Sequence, residues 1–177
     1  MTVSDFIVEY LHQNGISHVF TVSGGGSIFL CDALARAQAN GKIQYICCHH
    51  EQACGYAAEA YARIRGLGVT LVTSGPGGTN AVSACAASWL DGIPHVFLSG
   101  QAFSKQTITE YPGLRQLGVQ EINILDIVRP ITKWANVMNT EHVKFQLDNA
   151  IKYAKEPRQG PVWLDIPGDV QNAVIAA

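Results

Sequence analysis

The sequence is short of charge: Asp, Glu, Lys and Arg make up only 15% of its 177 residues, against about 25% in a typical soluble domain. A surface that poor in charge is expected to lie partly against another domain or subunit. The 12 basic and 14 acidic residues give a formal net charge of −2 without any Lys/Arg cluster, which argues against nucleic acid or an anionic membrane as a partner. Long apolar runs are missing too. Met1-Thr2-Val3-Ser4-Asp5-Phe6 has neither the basic start nor the apolar core of a secretion signal, so a cytoplasmic location is expected. No C-x-x-C pair occurs among the five cysteines (Cys31, Cys47, Cys48, Cys54, Cys85), and buried reduced thiols are expected. The run Cys47-Cys48-His49-His50 offers metal-ligand chemistry, but successive strand residues point to opposite faces and no second cluster completes a site, so no metal is assigned to it.

What remains is an ordinary apolar fraction of 47%, enough for one domain burying roughly 70% of the surface its unfolded chain exposes. Strand and helix patterns alternate along it without repeats or low-complexity stretches. Residues 2–14 read as a helix opened by a capping box of Thr2 and Asp5 and stopped by Gly15. Strands are expected at 18–22, 43–47, 69–73, 94–99, 131–137 and 162–166. Helices are expected to about 40, over 53–64, 79–90 and 141–154, with a short one near 120–127. The fold class is therefore α/β: three layers, with a six-stranded, mostly parallel sheet covered by helices on both faces.

The most informative stretch is Cys48-His49-His50-Glu51-Gln52-Ala53. Ahead of it, 43–47 reads as a short buried strand; behind it runs a helix rich in Ala and Gly. Glu51 thus sits at a strand's C-terminal end and in a helix's first turn, where open α/β sheets place ligands. The helix N-terminus favours its ionised form and a dry pocket the protonated one, which suits proton transfer.

Two glycine-rich turns, Ser23-Gly24-Gly25-Gly26-Ser27 and Ser74-Gly75-Pro76-Gly77-Gly78, each follow a strand and open a helix, where backbone approaches a ligand closely. A dinucleotide site is one reading: Gly24-x-Gly26 follows the first strand, and Glu51 stands where a ribose-binding acid belongs. Against it, Phe29 occupies the third glycine position, Asn80 does so in the second turn, and a Gly-Lys-Ser/Thr phosphate loop is absent. Simple turn-shaping is the other reading of any single glycine.

Together, His50-Glu51-Gln52-Ala53 with Ala57-Ala58-Glu59-Ala60-Tyr61-Ala62-Arg63, Thr73-Ser74-Gly75-Pro76-Gly77-Gly78-Thr79-Asn80, Asp91-Gly92-Ile93-Pro94, Val119-Gln120-Glu121 and Arg129-Pro130-Ile131-Thr132-Lys133 resemble the pyrimidine-binding domain of thiamin-diphosphate enzymes, in the acetolactate synthase and pyruvate oxidase group. The resemblance implies that Glu51 hydrogen-bonds N1′ of the aminopyrimidine and promotes its imino tautomer, which removes the thiazolium proton before a 2-oxo acid is decarboxylated and its fragment passed to an acceptor. It further implies that Thr73, Pro76, Gly77 and Asn80 line the pyrimidine pocket. Ser23, Gly24, Gly25 and Gly26 would face the reacting carbons, Val119 the acceptor, and Gln120 would point at the substrate. His49 and His50 admit a catalytic reading as well, but His50 belongs to the shared run and is more often structural, and contact of His49 with the pocket, suggested only by its strand-end placement, is the minor reading.

Departures from that family bear on the substrate. Val22-Ser23-Gly24-Gly25 replaces the usual Tyr/Phe-Pro-Gly-Gly, and Val119 replaces a common Phe. Both fall beside the acceptor and admit a wider pocket, up to an activated keto sugar. The Gly-Asp-Gly motif and asparagine with which the family holds Mg²⁺ and the diphosphate are missing, and Gly168-Asp169-Val170 does not replace them. The domain is therefore expected to be a half-site, completed by a diphosphate-binding domain or subunit, with FAD an option in the full enzyme. Homodimerisation is expected through Ala53, Gly55, Ala57, Ala58, Ala60 and Ala62. A split-enzyme subunit and a non-catalytic regulatory module are the alternatives.

Overall fold

The computed structural model describes residues 1–111 and 113–175. Its elements are α1 (Val3–Gln13), β1 (His18–Thr21), α2 (Ile28–Ala39), β2 (Gln44–Cys47), α3 (Glu51–Arg65), β3 (Gly68–Val72), α4 (Pro76–Asn80), α5 (Val82–Asp91), β4 (His95–Gln101), α6 (Ile124–Val128), β5 (Trp134–Val137), α7 (Val143–Lys155), β6 (Pro161–Pro167) and α8 (Gly168–Asn172). The opening helix begins as its sequence demands. Thr2 Oγ1 accepts the Asp5 N–H at 3.1 Å while Asp5 Oδ2 accepts the Thr2 N–H, a reciprocal cap. Among the described residues, no helix is long and apolar enough to cross a membrane.

All six strands are parallel, in the order β2-β1-β3-β4-β6-β5. Right-handed crossovers then put α2 and α7, which connect strands in one direction across the sheet, on the opposite face from α3, α5 and α6, which connect them in the other. Strand alternation divides the core accordingly. Val96 and Leu98, in register with Val162 and Leu164, face the cluster formed with α1, α2 and α7. Phe97, paired with Trp163 and stacked on it at 4.8 Å, faces α5 and α6. Helices therefore cover both faces of the sheet.

One result of this topology positions the site. After β1 the chain turns toward one face and after β3 toward the other, so a crevice opens between their C-terminal ends, the usual ligand position in such sheets.

Four local expectations need correction. The 43–47 strand is not buried: β2 is an edge strand with one neighbour, and Cys47 and Ile46 are exposed. The 79–90 helix is two helices, because Pro76 starts α4 early and Ala81 separates it from α5. The short helix near 120–127 begins only at Ile124, since Gln120 lies in the left-handed region at φ 54°. Of the cysteines only Cys54 and Cys85 are buried; Cys31 and Cys48 are half-buried and Cys47 is exposed, all as free thiols. No expectation covered α8.

Candidate active site

Glu51 is the first residue of α3 and only 9% exposed. His50 caps that helix, its Nδ1 accepting the Gln52 N–H at 3.1 Å, which gives it a structural task. Glu51 Oε2 accepts a hydrogen bond from Asn80 Nδ2 at 2.9 Å, and among the described residues no hydrogen bond reaches Oε1. Toward Oε1 lies the bare backbone of Gly77: a Cβ there would stand 3.5 Å from that oxygen and 2.6 Å from Thr73 Cγ2. Glycine lets this backbone close onto Thr73, and the packed pair form a cradle wall beside the carboxylate oxygen.

Thr73 joins the two glycine turns. Its Oγ1 accepts the Gly26 N–H at 3.0 Å, and a Cβ on Gly24 would fall 2.5 Å from its own Cβ. A Cβ on Gly26 would meet the Ser74 side chain at 2.6 Å, so the first turn's backbone packs directly on Thr73 and Ser74 and only glycine fits. Gly75, at φ 58°, opens the second turn. Its bare Cα faces the Gln120 carbonyl so closely that any Cβ would collide with it. That contact brings the 119–121 segment to the site although more than forty residues separate the two in sequence. The left-handed backbone of Gln120 costs about 1–3 kcal/mol and persists only where its surroundings impose it.

The structure thus gathers Glu51, Thr73, Gly77 and Asn80 with the backbone of Gly24, Gly26 and Gln120. Pro76 starts α4 at the exposed rim, and Ser23, Gly25, Val119 and the Gln120 side chain are exposed around the opening, Val119 at 84%. Their side chains are not brought into contact with Glu51. Among the described residues, no group of three His, Cys, Asp or Glu side chains comes together as metal ligands.

Sequence reasoning missed the supports. Gln171 of α8 donates through Nε2 to the Gly26 carbonyl at 2.6 Å and to that of Ile166 at 2.7 Å, holding the first turn from behind. Gly100 of β4 lies directly under that Gly26 carbonyl. Asp165 of β6 is buried, and burial pushes its carboxyl up to about 7 against the pull of hydrogen bonds from Ser99 and Gln101. A lone acid in the apolar run Val162-Trp163-Leu164-Asp165-Ile166 was the available signal for it. His95, stacked at 3.9 Å on Phe97 and bonded to Ser88 and Thr70, is pushed down to about 3 by burial.

The sequence profile of the thiamine pyrophosphate enzyme N-terminal TPP binding domain matches residues 1–127. The chain is 37% identical to the acetolactate synthase isozyme 1 large subunit of Escherichia coli over 98% of its own length and 29% of that protein. It is 36% identical to the acetolactate synthase of Arthrospira platensis, over 96% of the chain and 28% of that protein. It is also 35% identical to the mitochondrial acetolactate synthase catalytic subunit of Saccharomyces cerevisiae, over 99% of the chain and 24% of that protein. The chain therefore spans less than a third of the length of these relatives. With a buried carboxylate held by Asn80, the two glycine turns packed around it and this match in hand, the chain belongs to the thiamine pyrophosphate enzymes, as their N-terminal, TPP-binding domain.

Proposed function

We propose that the chain forms the pyrimidine side of an active site that decarboxylates a 2-oxo acid and joins the remaining fragment to an acceptor, as an acetolactate synthase would. The observation that carries this reading is the convergence of Glu51 and Asn80 on the Gly77 cradle. The residues present fit an aminopyrimidine: among the described residues Glu51 Oε1 has no hydrogen-bond partner and is left to bond a ring nitrogen, while Asn80 holds Oε2. Bound thiamin diphosphate would supply the electron sink that the 2-oxo acid chemistry needs.

The chain's own groups do the rest. Glu51 holds or releases a proton at Oε1, while Asn80 fixes the carboxyl by occupying Oε2. Thr73 and Gly26 lock the two turns together, so the cradle keeps its shape. Ser23, Gly24, Gly25 and Gly26 border the space where the substrate carbons react, and Val119 and Gln120 border the acceptor.

Diphosphate and Mg²⁺ would be held by a second domain or subunit, which would also close the open side of the crevice. Homodimerisation would use the outward face of α3. Gly55, Ala58 and Ala62 are buried inward, Gly55 directly against Ala84, whereas Ala53, Tyr56, Ala60 and Ile64 are exposed. The assignment is tested in the assembled enzyme with Glu51→Gln. Hydrogen–deuterium exchange at the cofactor C2 position should slow by orders of magnitude while the circular dichroism spectrum is retained. Exchange at the wild-type rate would reject the role of Glu51.

A further inference from the structure

A second buried polar system lies at the C-terminal ends of β4 and β6, away from Glu51. The Ser99 hydroxyl donates to Asp165 Oδ1 at 2.5 Å, Gln101 Nε2 donates to Asp165 Oδ2 at 3.0 Å, and Trp163 Nε1 donates to Ser99 Oγ at 2.8 Å. The same Gln101 amide nitrogen donates to the Ile122 carbonyl at 3.0 Å, and its Oε1 accepts the Ala102 N–H at 3.0 Å. Both N–H groups and the oxygen of this amide are engaged, so its orientation is fixed: the carboxylate that takes one N–H aims the other at Ile122.

Ile122 stands two residues after Gln120, whose left-handed backbone has no glycine to make it easy. The turn's other hydrogen bonds are to neighbouring loop residues. Glu121 collects the N–H groups of Ile108, Leu117 and Gly118, and Ile124 shares the Ile122 carbonyl at 2.9 Å. Among the described residues, the Gln101 amide is the hydrogen bond that ties residues 118–122 to a strand of the sheet. On one side the turn packs its Gln120 carbonyl against Gly75; on the other, at Glu121, it borders a cavity of about 290 Å³ lined also by Thr107, Asn123, Arg129 and Asp165.

We infer that Gln101 and Asp165 are positioning residues for the Val119–Gln120 turn, acting through the Ile122 carbonyl. For catalysis this rests on the reading that Gln120 faces the substrate. Asp165 aims the Gln101 amide, the amide fastens Ile122, and Ile122 fixes where the Gln120 side chain projects. Neither residue needs to touch substrate.

The tether is tested first in the 177-residue chain by hydrogen exchange, with Gln101→Met, which keeps the shape and removes the amide. The Gly118, Glu121 and Ile124 amides should exchange about tenfold faster, the effect of losing one ordinary hydrogen bond, with β4 and β6 unchanged. Unchanged turn amides overturn the inference. Where Gln101→Met does not fold, Gln101→Asn, one methylene too short to reach both acceptors, serves the same purpose.

In the assembled enzyme, Gln101→Met should lower kcat/KM for the 2-oxo acid with C2 exchange intact, and combining it with Gln120→Ala should cost no more than Gln120→Ala alone. Multiplying losses would show that Gln101 does not act through Gln120. If the turn loosens in exchange but Gln120→Ala leaves the kinetics untouched, the tether stands and the substrate role of Gln120 falls.

Discussion

Asn80 and Glu51 meet across the gap between α4 and α3, the amide donating to one carboxylate oxygen at 2.9 Å and leaving the other to face the Gly77 backbone. The pair makes Asn80 more than a turn residue. Asn80→Ala should free the carboxyl to rotate and slow C2 exchange in the assembled enzyme by about tenfold, the worth of one ordinary hydrogen bond. Asn80→Asp should slow it further, since it sets a second acceptor against Glu51 Oε2 in place of the amide donor. Equal rates for both variants and wild type would show that Asn80 does not orient the acid.

The acceptor side is open to a different test. Val119 is 84% exposed, so Val119→Phe should change stability by no more than about 0.5 kcal/mol. Product ratios in competition assays should nevertheless shift toward small 2-oxo acid acceptors, because the larger ring narrows the opening. Constant ratios across Val119→Phe and Gln120→Ala would remove this turn from the acceptor site.

Gln120→Gly separates strain from function. Glycine relieves the left-handed backbone and should raise the unfolding free energy by about 1 kcal/mol, while the lost side chain lowers kcat/KM. Urea denaturation and steady-state kinetics on the same variant read the two effects. A destabilised Gln120→Gly would contradict the strain at this position.

Alone, the chain should bind thiamin diphosphate only weakly, since Mg²⁺ bridging the diphosphate to protein oxygens would provide much of the affinity. Titration calorimetry with cofactor and Mg²⁺ should show no tight binding, and pyruvate should not be consumed. Adding a diphosphate-binding partner should restore both. Micromolar or tighter, Mg²⁺-dependent binding to the chain by itself would falsify the half-site proposal.

Two buried groups make opposite contributions to stability in mild acid. Asp165 is raised to about 7, so its contribution is fully present below the unfolded value near 3.8 and is lost as the pH rises toward 7. His95 is lowered to about 3, so its contribution is present above 6.5 and is lost as the pH falls toward 3. Between about pH 4.5 and 6 the two slopes oppose. Asp165→Asn should leave stability rising with pH across that window, and His95→Gln should leave it falling. Urea midpoints at matched ionic strength decide it; parallel slopes in the two variants would refute the assignment.

Local chemistry made much of this protein legible before any coordinates. Thr2 and Asp5 announced a cap, and short apolar runs between helical patterns marked the strands. Glu51, Thr73, Gly77 and Asn80 carried the family pattern that the sequence profile bears out for the domain, and the fold then brought those four together. These are features of contiguous residues, and contiguous residues dictate them.

What only the tertiary structure decided depends on residues far apart. The edge position of β2 exposes a strand that its composition marks as buried, because burial is set by the number of neighbours and not by hydrophobicity alone. Gly75 admits the Gln120 carbonyl, Gln171 reaches Gly26 across 145 positions, and Gln101 fastens Ile122 to Asp165. Each is a hydrogen bond or close approach whose partner the chain order does not disclose. A polar side chain announces in sequence that it needs a partner once buried, and the packing of the sheet decides which partner it finds.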